Sequence, residues 1–457
     1  MVVVKETLER ELKLRAGSEF ELPELGGEAV EPRSFDSTYH DTRDHRLGRH
    51  GVTLRHRVEN RKGLWQLKLP QGDARLELEV RGTSAAPPDE LLSLLPAYLR
   101  GGSLVPLARL RTRRTGIRAQ GAEIVHDEVT ILDKGRDPRS FEELEVELLE
   151  GDEKSLRKIE KALRRAGATD GETRPKIFQA LDLTFEPVEV AHDGSAGGTL
   201  AAELRRQYER LLAHDPGLRL GTDPEELHGF RVATRRLRAF LRAGRELLEP
   251  EWAEPLRDEL RWLGGELGPG RDLDVLLERL RGEVESLAED AEGGRTIVKV
   301  LERDREVLRV QVHDALESER YFALLDRLEQ QPPLRPGNAT LKEIQRAEQR
   351  RLRKAVDLLD RDAPDEQLHE VRIKVKRARY AAELRGDNEY VKAAKALQDV
   401  LGDHQDAVVA QERLRSLAAQ EPSAVLAAGR LIEREQARAN GRRRDWPAAW
   451  KRLAACA

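Results

Sequence analysis

Two glutamates and a lysine alternate near the start of the chain, at Glu9, Glu11 and Lys13. In a β-strand, successive side chains point to opposite faces, so all three would project from one face. That face is too charged to pack against an apolar core. Two carboxylates at this spacing can hold a hard divalent cation, and a lysine beside them can contact a phosphate oxygen. The segment therefore indicates metal and phosphate chemistry on one strand.

Other strand-like segments repeat this alternation of charge. The alternating sets are Arg55 and Arg57, Glu77 and Glu79, Arg109, Arg111 and Arg113, and Glu145 and Glu147, with Lys68 on a further run. A solvated strand face would explain any single set. Charges turned inward on most strands of one closed sheet would instead line a polar cavity. Such a cavity suits a polyanion that is held through a divalent cation.

The predicted elements change type near the middle of the chain. Residues 3–186 read as short strands with a helix at 153–166, and the turn-rich residues 187–198 are typical of a linker. Residues 199–455 have helical periodicity almost throughout. The expected fold class is therefore multidomain, with an N-terminal antiparallel β tunnel that includes helices (α+β) and a C-terminal all-α bundle.

The helical half contains an internal repeat. The segment LHGFRVATRRLRAFL from Leu227 matches LHEVRIKVKRARYAA from Leu368, and LGPGRDLDVL from Leu267 matches LGDHQDAVVA from Leu401. Two copies of the same helix order, at about 200–330 and 340–455, predict a bundle of pseudo-symmetric halves.

Each copy carries basic side chains along one helix face. Spacings of three and four residues place them in a single stripe, because each residue turns the helix by about 100°. The first stripe is His228, Arg231, Arg235, Arg238, Arg242 and Arg245, and the second is His369, Arg372, Lys376 and Arg379. A charge run is commonly just a solvated face. The same stripe at matching positions of two copies favours a surface that binds repeated phosphates.

Composition limits the classes of partner. The formal net charge is −4 over 457 residues, so no global basicity indicates nucleic acid. The single cysteine, Cys456, excludes a disulfide within the chain and a cysteine-ligated zinc site. Charges near the N-terminus do not fit a secretory signal, and no apolar run approaches ~18 residues. We expect a cytoplasmic protein without membrane association, and the sequence leaves its oligomeric state open.

The first half resembles the CYTH family, the triphosphate tunnel metalloenzymes. The family's ExExK motif matches Glu9, Glu11 and Lys13. Its other features match Tyr39, Asp41, Thr42, Gly51, Leu54, Arg55, Arg57, Arg111, Arg113, Asp127, Glu145, Glu147 and Lys176. Lys176 stands in Arg-Pro-Lys-Ile-Phe, which departs from the family's usual SK(Y/F). The resemblance implies an eight-stranded antiparallel tunnel that hydrolyses or cyclises tripolyphosphate-containing substrates with Mg²⁺ or Mn²⁺.

From this resemblance, we expect the tunnel to contain two functional sets of residues, metal ligands and phosphate contacts. The metal ligands would be Glu9, Glu11, Asp127, Glu145 and Glu147. The phosphate contacts, which would also stabilise charge in the transition state, would be Lys13, Arg55, Arg57, Lys68, Arg111, Arg113 and Lys176. Water would then attack in line with the leaving phosphate.

The second half resembles the CHAD family, over roughly residues 195–455. The basic stripes carry the resemblance, together with Gly268 and Asp272 in one copy and Gly402 and Asp406 in the other. It implies a basic pore or groove that binds inorganic polyphosphate through His228, Arg231, Arg235, Arg238, Arg242, His369, Arg372, Lys376 and Arg379. We expect the two histidines to donate hydrogen bonds to phosphate, with structural hydrogen bonding and metal ligation as alternatives. The two aspartates would orient arginines.

The expected function combines both halves: metal-dependent hydrolysis of inorganic tripolyphosphate in the tunnel, and binding of long-chain polyphosphate by the helices. One alternative is a non-catalytic protein that binds polyphosphate or associates with polyphosphate granules. Another is a triphosphatase or cyclase that acts on thiamine triphosphate or nucleotides. Paired glutamates favour an enzyme, because they would only repel polyphosphate unless a metal is present.

Overall fold

The computed structural model describes residues 4–456 except 18–19, 73, 133–138, 173, 185–193 and 361–362. The chain divides into two compact units, Met1–Val188 and Glu189–Ala457. This division falls beside the expected boundary at residue 186. Most of the expected linker at 187–198 lies outside the described residues, and the first helix of the second unit begins at Ala196.

The N-terminal unit is built on one antiparallel sheet. Its strands are β1 (Lys5–Glu9), β2 (Glu11–Arg15), β3 (Gly27–Asp41), β4 (Thr53–Glu59), β5 (Lys62–Gln71), β6 (Ala74–Arg81), β7 (Val105–Ala119), β8 (Ala122–Ile131), β9 (Arg139–Leu148) and β10 (Thr169–Asp170). Its helices are α1 (Asp89–Leu92), α2 (Pro96–Leu99), α3 (Glu153–Arg165) and α4 (Lys176–Leu181). The strand order is β1-β6-β5-β4-β3-β7-β8-β9-β2-β10.

An interruption of the first strand at Arg10 closes this sheet. β1 pairs with β6, whereas β2 pairs with β9 at the other end of the strand order. Because β1 and β2 are consecutive, one short segment joins the two ends, and the Leu148 N–H donates to the Arg10 carbonyl over 3.0 Å. The expected class of fold is confirmed. The first strand is in two parts, however, and the two-residue β10 is added beside β2.

The amphipathic helix α3 decides which strand face turns inward. Its buried side chains, Ile159 and Leu163, pack in one cluster with Leu14, Leu144 and Val146 of the neighbouring strands β2 and β9. Strand side chains alternate between faces. Burial of this apolar parity against α3 therefore directs the charged parity of β2 and β9 to the opposite side of the sheet, which is the interior.

The C-terminal unit is helical. Its helices are α5 (Ala196–Leu220), α6 (Pro224–Ala243), α7 (Pro250–Val284), α8 (Ala291–Leu316), α9 (Glu319–Glu329), α10 (Leu341–Asp357), α11 (Asp365–Arg385), α12 (Asn388–Gln420) and α13 (Val425–Ala455). The repeated segments form α6 and α11, which contact each other, and the second pair of matching segments lies in α7 and α12. The expected pseudo-symmetric helical bundle agrees with this order of helices.

Candidate functional site

The closed sheet encloses a cavity of about 280 Å³ whose wall is mostly charged. Its basic side chains are Lys5, Lys13, Arg33, Arg55, Arg57, Lys68, Arg75, Arg114, Arg118 and Lys176. Its acidic side chains are Glu9, Glu11, Glu77, Glu79, Glu123, Glu145 and Glu147. An interior of this kind cannot pack on itself, and it suits an anionic ligand together with cations.

Two arginines of β4 are held in place by contacts with neighbouring side chains. Arg55 donates from Nε to the Gln66 side-chain oxygen over 2.8 Å and from a terminal nitrogen to the Tyr39 hydroxyl over 3.2 Å. Arg57 forms an ion pair with Glu59, and its guanidinium lies 3.7 Å from the centre of the Phe35 ring. These contacts fix the direction of both guanidinium groups without enclosing them. Both remain suitable contacts for phosphate oxygens.

Lys68 lies between two carboxyl groups of the cavity wall. Its ammonium is 2.5 Å from an oxygen of Glu9 and 3.6 Å from one of Glu77. Burial, together with the hydrogen bond to Glu77 and the charge of Glu77, raises the pKa of Glu9 to about 8 against the opposing effect of Lys68. The two carboxyl groups thus hold a proton between them at neutral pH, beside a lysine.

A second network joins Lys13 and Lys176 to buried acids. Lys176 lies 2.8 Å from Asp127, 2.9 Å from Glu143 and 2.7 Å from Glu145. Lys13 lies 3.1 Å from Glu143 and 3.6 Å from Glu145. Burial alone would raise the pKa of Glu145, but Lys176, Lys13 and Arg114 hold it well below its ordinary value. Glu145 is therefore a stable anion that is already neutralised by lysine and arginine.

Glu11 and Glu147 differ from the other acids of the cavity. They are directly opposite each other on β2 and β9, and neither has an ion-pair or hydrogen-bond partner among the described residues. Burial raises the pKa of Glu147, with the charges of Glu77 and Glu123 contributing in the same direction. Two facing carboxylates without a counter-ion repel each other. This pair is the part of the wall that best fits a divalent cation.

No group of three or more metal-ligating side chains lies close enough together to hold a metal ion among the described residues. The facing pair of Glu11 and Glu147 can nevertheless serve Mg²⁺, which in phosphate-binding sites takes one or two carboxylates and completes its shell with water and phosphate oxygens. Glu9 and Glu145, also expected as ligands, line the same cavity but are occupied by lysines. The donor set therefore fits a cation that arrives with its phosphate ligand.

The expected roles of Arg111 and Arg113 are wrong, because both side chains lie outside the cavity. Arg111 is 59% exposed and pairs with Asp36, and Arg113 is 63% exposed and pairs with Glu128. Arg114 occupies the inner face instead, 2.6 Å from Asp127 and 2.7 Å from Glu145. Directly opposite residues of antiparallel strands share a face. Arg114 is registered with Asp127, which places Arg113 on the outer face with Glu128.

Asp127 also differs from its expected role as a metal ligand. The side chain is fully buried, and its two oxygens accept hydrogen bonds from Arg114 and Lys176 over 2.6–2.8 Å. Those cations hold the pKa of Asp127 low against the effect of burial. Asp127 therefore orients two basic side chains from behind, without an oxygen that is free for a metal.

The cavity includes residues that were not in the predicted site. Glu77 and Arg114 line it, and Glu143 lies behind Lys13 and Lys176. Glu77 alternates with Glu79 on β6, as charged residues do on the other strands, so the sequence could have predicted that Glu77 lines the cavity. Asp41, which matched a family feature, is a structural residue: its carboxylate accepts backbone N–H groups of Thr42, Leu47 and Gly48.

In the helical unit, the stripes of α6 and α11 lie side by side. Arg231 donates to the Gly268 carbonyl over 3.0 Å and to Asp272 over 3.2 Å. Arg372, its counterpart, lies 3.8 Å from Asp406. These contacts agree with the expectation that the two aspartates orient arginines. Arg235 donates from Nε to the Tyr380 hydroxyl over 2.7 Å, which connects the stripe of α6 to helix α11.

The second stripe contains basic groups that are only partly satisfied. The Nε atoms of Arg372 and Arg379 are buried without a hydrogen-bond partner in the described part of the chain. Burial, followed by the charges of Arg372 and Arg235, lowers the pKa of Lys376 to about 7. His369 contacts the Gln405 side-chain oxygen over 3.0 Å. For His228, burial and the charge of Arg271 lower the pKa of the imidazole.

Comparison with known proteins agrees with both halves. A model of the CYTH domain matches residues 7–174, and a model of the CHAD domain matches residues 202–415. The uncharacterized protein Rv2226 of Mycobacterium tuberculosis is 31% identical over 424 residues, which are 84% of this chain and 82% of that protein. The protein MT2285 of another strain of that species has the same identity and coverage.

Two solved structures also resemble parts of the chain. PptA from Streptomyces chartreusis is 27% identical, with a TM-score of 0.46, and the match covers 56% of this chain and 99% of that one. The CHAD domain from the plant Ricinus communis is 30% identical, with a TM-score of 0.49, over 57% of this chain and 92% of that one.

This protein belongs to the family of chains in which a CYTH domain is followed by a CHAD domain. Within the part of the chain that the structure describes, no helix is both long enough and apolar enough to cross a membrane.

Proposed function

We propose that the N-terminal unit hydrolyses inorganic tripolyphosphate, or another short polyphosphate, with Mg²⁺ or Mn²⁺. The observation that carries this proposal is the facing pair of Glu11 and Glu147, which forms no ion pair with any described residue although lysines and arginines line the cavity. A wall of basic groups alone would suit simple anion binding. The unneutralised carboxylates call for a metal, and a metal bound together with phosphate is the usual arrangement for phosphoryl transfer.

In this proposal, Glu11 and Glu147 hold the cation, with Glu9 and Glu145 as neighbouring acids. The cation would supply charge neutralisation at the phosphate oxygens when bound. Arg55, Arg57 and Lys68 contact phosphate oxygens from the opposite strands. Lys13, Lys176 and Arg114 are held by Asp127, Glu143 and Glu145, so that they present a fixed positive surface rather than mobile charges. Phosphoryl transfer requires little covalent participation by the protein, and positioning of this kind is its main contribution.

The composition of the wall favours inorganic substrates over nucleotides and thiamine triphosphate. Among the described residues that line the cavity, the aromatic side chain is Tyr39, whose hydroxyl is already bonded to Arg55. A base or a thiazolium ring would need an apolar or stacking surface. The cavity offers such a ring no equivalent of the contacts that it offers to phosphate.

The helical unit, in the same proposal, binds inorganic polyphosphate along the stripes of α6 and α11. The orphaned guanidinium N–H groups of Arg372 and Arg379 support this assignment, because buried donors without partners are costly unless a ligand completes them. Capture of long chains by this unit would raise the local concentration of substrate and retain the protein on polyphosphate granules.

The deciding experiment measures phosphate release with Mg²⁺ or Mn²⁺ from tripolyphosphate, ATP, thiamine triphosphate and long-chain polyphosphate. We expect tripolyphosphate to have the highest kcat/KM and activity to disappear with a chelator. Absence of turnover on all four substrates with both metals would leave the non-catalytic polyphosphate-binding alternative. A preference for ATP or thiamine triphosphate would move the assignment to those substrates.

A further inference from the structure

The basic stripe of α6 extends beyond the position that corresponds to the end of the basic stripe of α11. In the alignment of the two copies, Arg238 corresponds to Arg379, but Arg242 corresponds to Glu383. The positive charge of α6 therefore continues a full turn farther than that of α11. At a rise of about 1.5 Å per residue, Arg242 lies about 16 Å along the helix axis from Arg231. Only an extended ligand can contact both.

Basic residues of two other helices meet the stripe at this end. The Arg238 guanidinium reaches α7, where it lies 4.0 Å from the position that a Cβ on Gly264 would take. Arg257 lies on the same helix, two turns before Gly264, and Arg377 lies on α11, which contacts α6. Arg242, Arg257 and Arg377 are half-buried, and Arg238 is exposed. We name Arg238, Arg242, Arg257 and Arg377 the end cluster.

The charges of the end cluster are poorly compensated. Arg238, Arg242 and Arg377 have no ion-pair or hydrogen-bond partner among the described residues, and Arg257 is paired with Glu254 at 2.7 Å. Glu348 is the acid that faces Arg242 and Arg377, but it already forms an ion pair with Arg351. Burial lowers the pKa of Arg238, Arg242 and Arg377, and the charge of Arg257 lowers all three further.

Arg238 and Arg242 of α6 and Arg377 of α11 lack partners among the described residues, and their proximity to one another and to Arg257 of α7 is unfavourable in the free protein. An anion that enters between them would remove the repulsion and satisfy their donors. On a scattered solvated surface, each arginine would be paired with an acid, as Arg257 is with Glu254. Arg281 and Arg295 illustrate that arrangement elsewhere in the unit, with Glu302 and Glu285 as partners.

We propose that the end cluster is a further anion site, continuous with the stripe of α6, where a long inorganic polyphosphate chain makes contacts that a short one cannot reach. Arg257 and Arg377, which lie outside both stripes, are the residues that distinguish this site. The inference rests on the proposed binding of polyphosphate by the helical unit. It adds selectivity for chain length to that function.

The test uses the full chain in chelator-containing buffer, where hydrolysis is suppressed. Arg257→Gln and Arg377→Gln are made together, and Arg281→Gln with Arg295→Gln is the matched control with the same change in charge. Affinity is measured by calorimetry for long-chain polyphosphate and for tripolyphosphate across a range of salt concentrations. Unfolding temperatures verify that all variants fold.

We expect Arg257→Gln/Arg377→Gln to lose about tenfold in affinity for the long chain and to lower the salt dependence of binding, since each lost phosphate contact reduces the slope by somewhat less than one. Affinity for tripolyphosphate should stay unchanged. Long-chain affinity equal to that of the control pair would overturn the inference. Replacement of Arg231, Arg235, Arg372 and Lys376 tests the underlying function separately: if these variants also bind normally, polyphosphate binding by the stripes is itself wrong.

Discussion

Arg235 and Tyr380 join the two copies of the helical repeat through one hydrogen bond, 2.7 Å from Nε to the hydroxyl. The relationship is not symmetric. Tyr380 corresponds to Ala239 in the first copy, and Arg235 corresponds to Lys376 in the second. Lys376 therefore has no matching hydroxyl, and it lacks a hydrogen-bond partner within the described residues. The hydrogen bond fixes the direction of the Arg235 guanidinium, whereas Lys376 has a lowered pKa and can lose its charge near neutral pH.

Tyr380→Phe should weaken polyphosphate binding about fivefold, because a hydrogen bond that holds a guanidinium in place contributes about 1 kcal/mol. The ring and its edge-on contact with Phe240 remain, so the unfolding temperature should change little. Calorimetric titration with polyphosphate checks the prediction. Tyr390→Phe, on α12, is the control and should bind normally. In an Arg235→Gln background the Tyr380→Phe change should have no further effect, and a full additional loss there would show that Tyr380 acts independently of Arg235.

Polyphosphate affinity should fall as the pH rises from 7 to 9, since Lys376 has a pKa of about 7 in the free protein and loses its charge in this range. Bound polyphosphate favours the charged form, so binding takes up a proton. Titrations at several pH values, in buffers with different ionisation enthalpies, measure both effects.

Lys376→Arg should remove the decrease above pH 7, because arginine stays protonated, whereas the control Lys374→Arg should retain it. His228 does not interfere above pH 7, since burial lowers the pKa of its imidazole. An unchanged pH profile in Lys376→Arg would assign the dependence to another group.

Glu147→Gln should reduce phosphate release from tripolyphosphate by about 100-fold or more, as expected when a carboxylate of a metal site is lost. The same variant should be more stable without metal. A carboxyl group whose pKa is raised in the folded state contributes stability below its ordinary pKa and loses it as the pH rises. In chelator, we expect the unfolding temperature of Glu147→Gln to exceed that of the original protein by about 2 °C at pH 8, and to match it at pH 4.

The control for Glu147→Gln is Glu128→Gln, which removes an exposed carboxylate of the neighbouring strand β8, outside the cavity. It should leave turnover unchanged. Loss of activity together with loss of stability in Glu147→Gln would indicate that this glutamate has a structural partner rather than a metal.

Arg114→Ala should abolish turnover and destabilise the N-terminal unit by about 3–5 kcal/mol, because it leaves Asp127 and Glu145 buried with one cation fewer. Arg113→Ala, one residue earlier on the same strand, should preserve both activity and the unfolding temperature. Denaturant unfolding and the phosphate-release assay compare the two variants directly. Equal loss of activity in Arg113→Ala would place that arginine in the cavity, contrary to its exposed position.

The contrast between Arg113 and Arg114 also shows what the sequence could not decide. In the run Arg111-Thr-Arg113-Arg114, arginines occupy both parities of the strand, so alternation alone does not say which ones turn inward. The register between β7 and β8 settles the question, because it places Arg114, and not Arg113, directly opposite Asp127. A shift of one residue would have exchanged the two faces completely.

In strands where only one set of alternate residues is charged, the sequence alone predicts which face turns inward. In β2 and β9, Leu14 and Val146 mark the face that packs against α3, and Lys13, Glu145 and Glu147 follow on the other. The sequence did not predict which acid pairs with which base. Asp127 is enclosed by Arg114 and Lys176, whereas Glu147 has no partner in the described part of the chain, and both outcomes depend on contacts between segments distant in the sequence.

The interruption at Arg10 has a consequence for the order of folding. β2 is synthesised well before its partner strand β9, with Lys13 and Glu143 separated by 130 residues. Contacts at such separation form late, because the loop between them must first be closed. During synthesis, the segment from Glu11 to Lys13 must therefore wait for β9, and its alternating charges disfavour association with other strands.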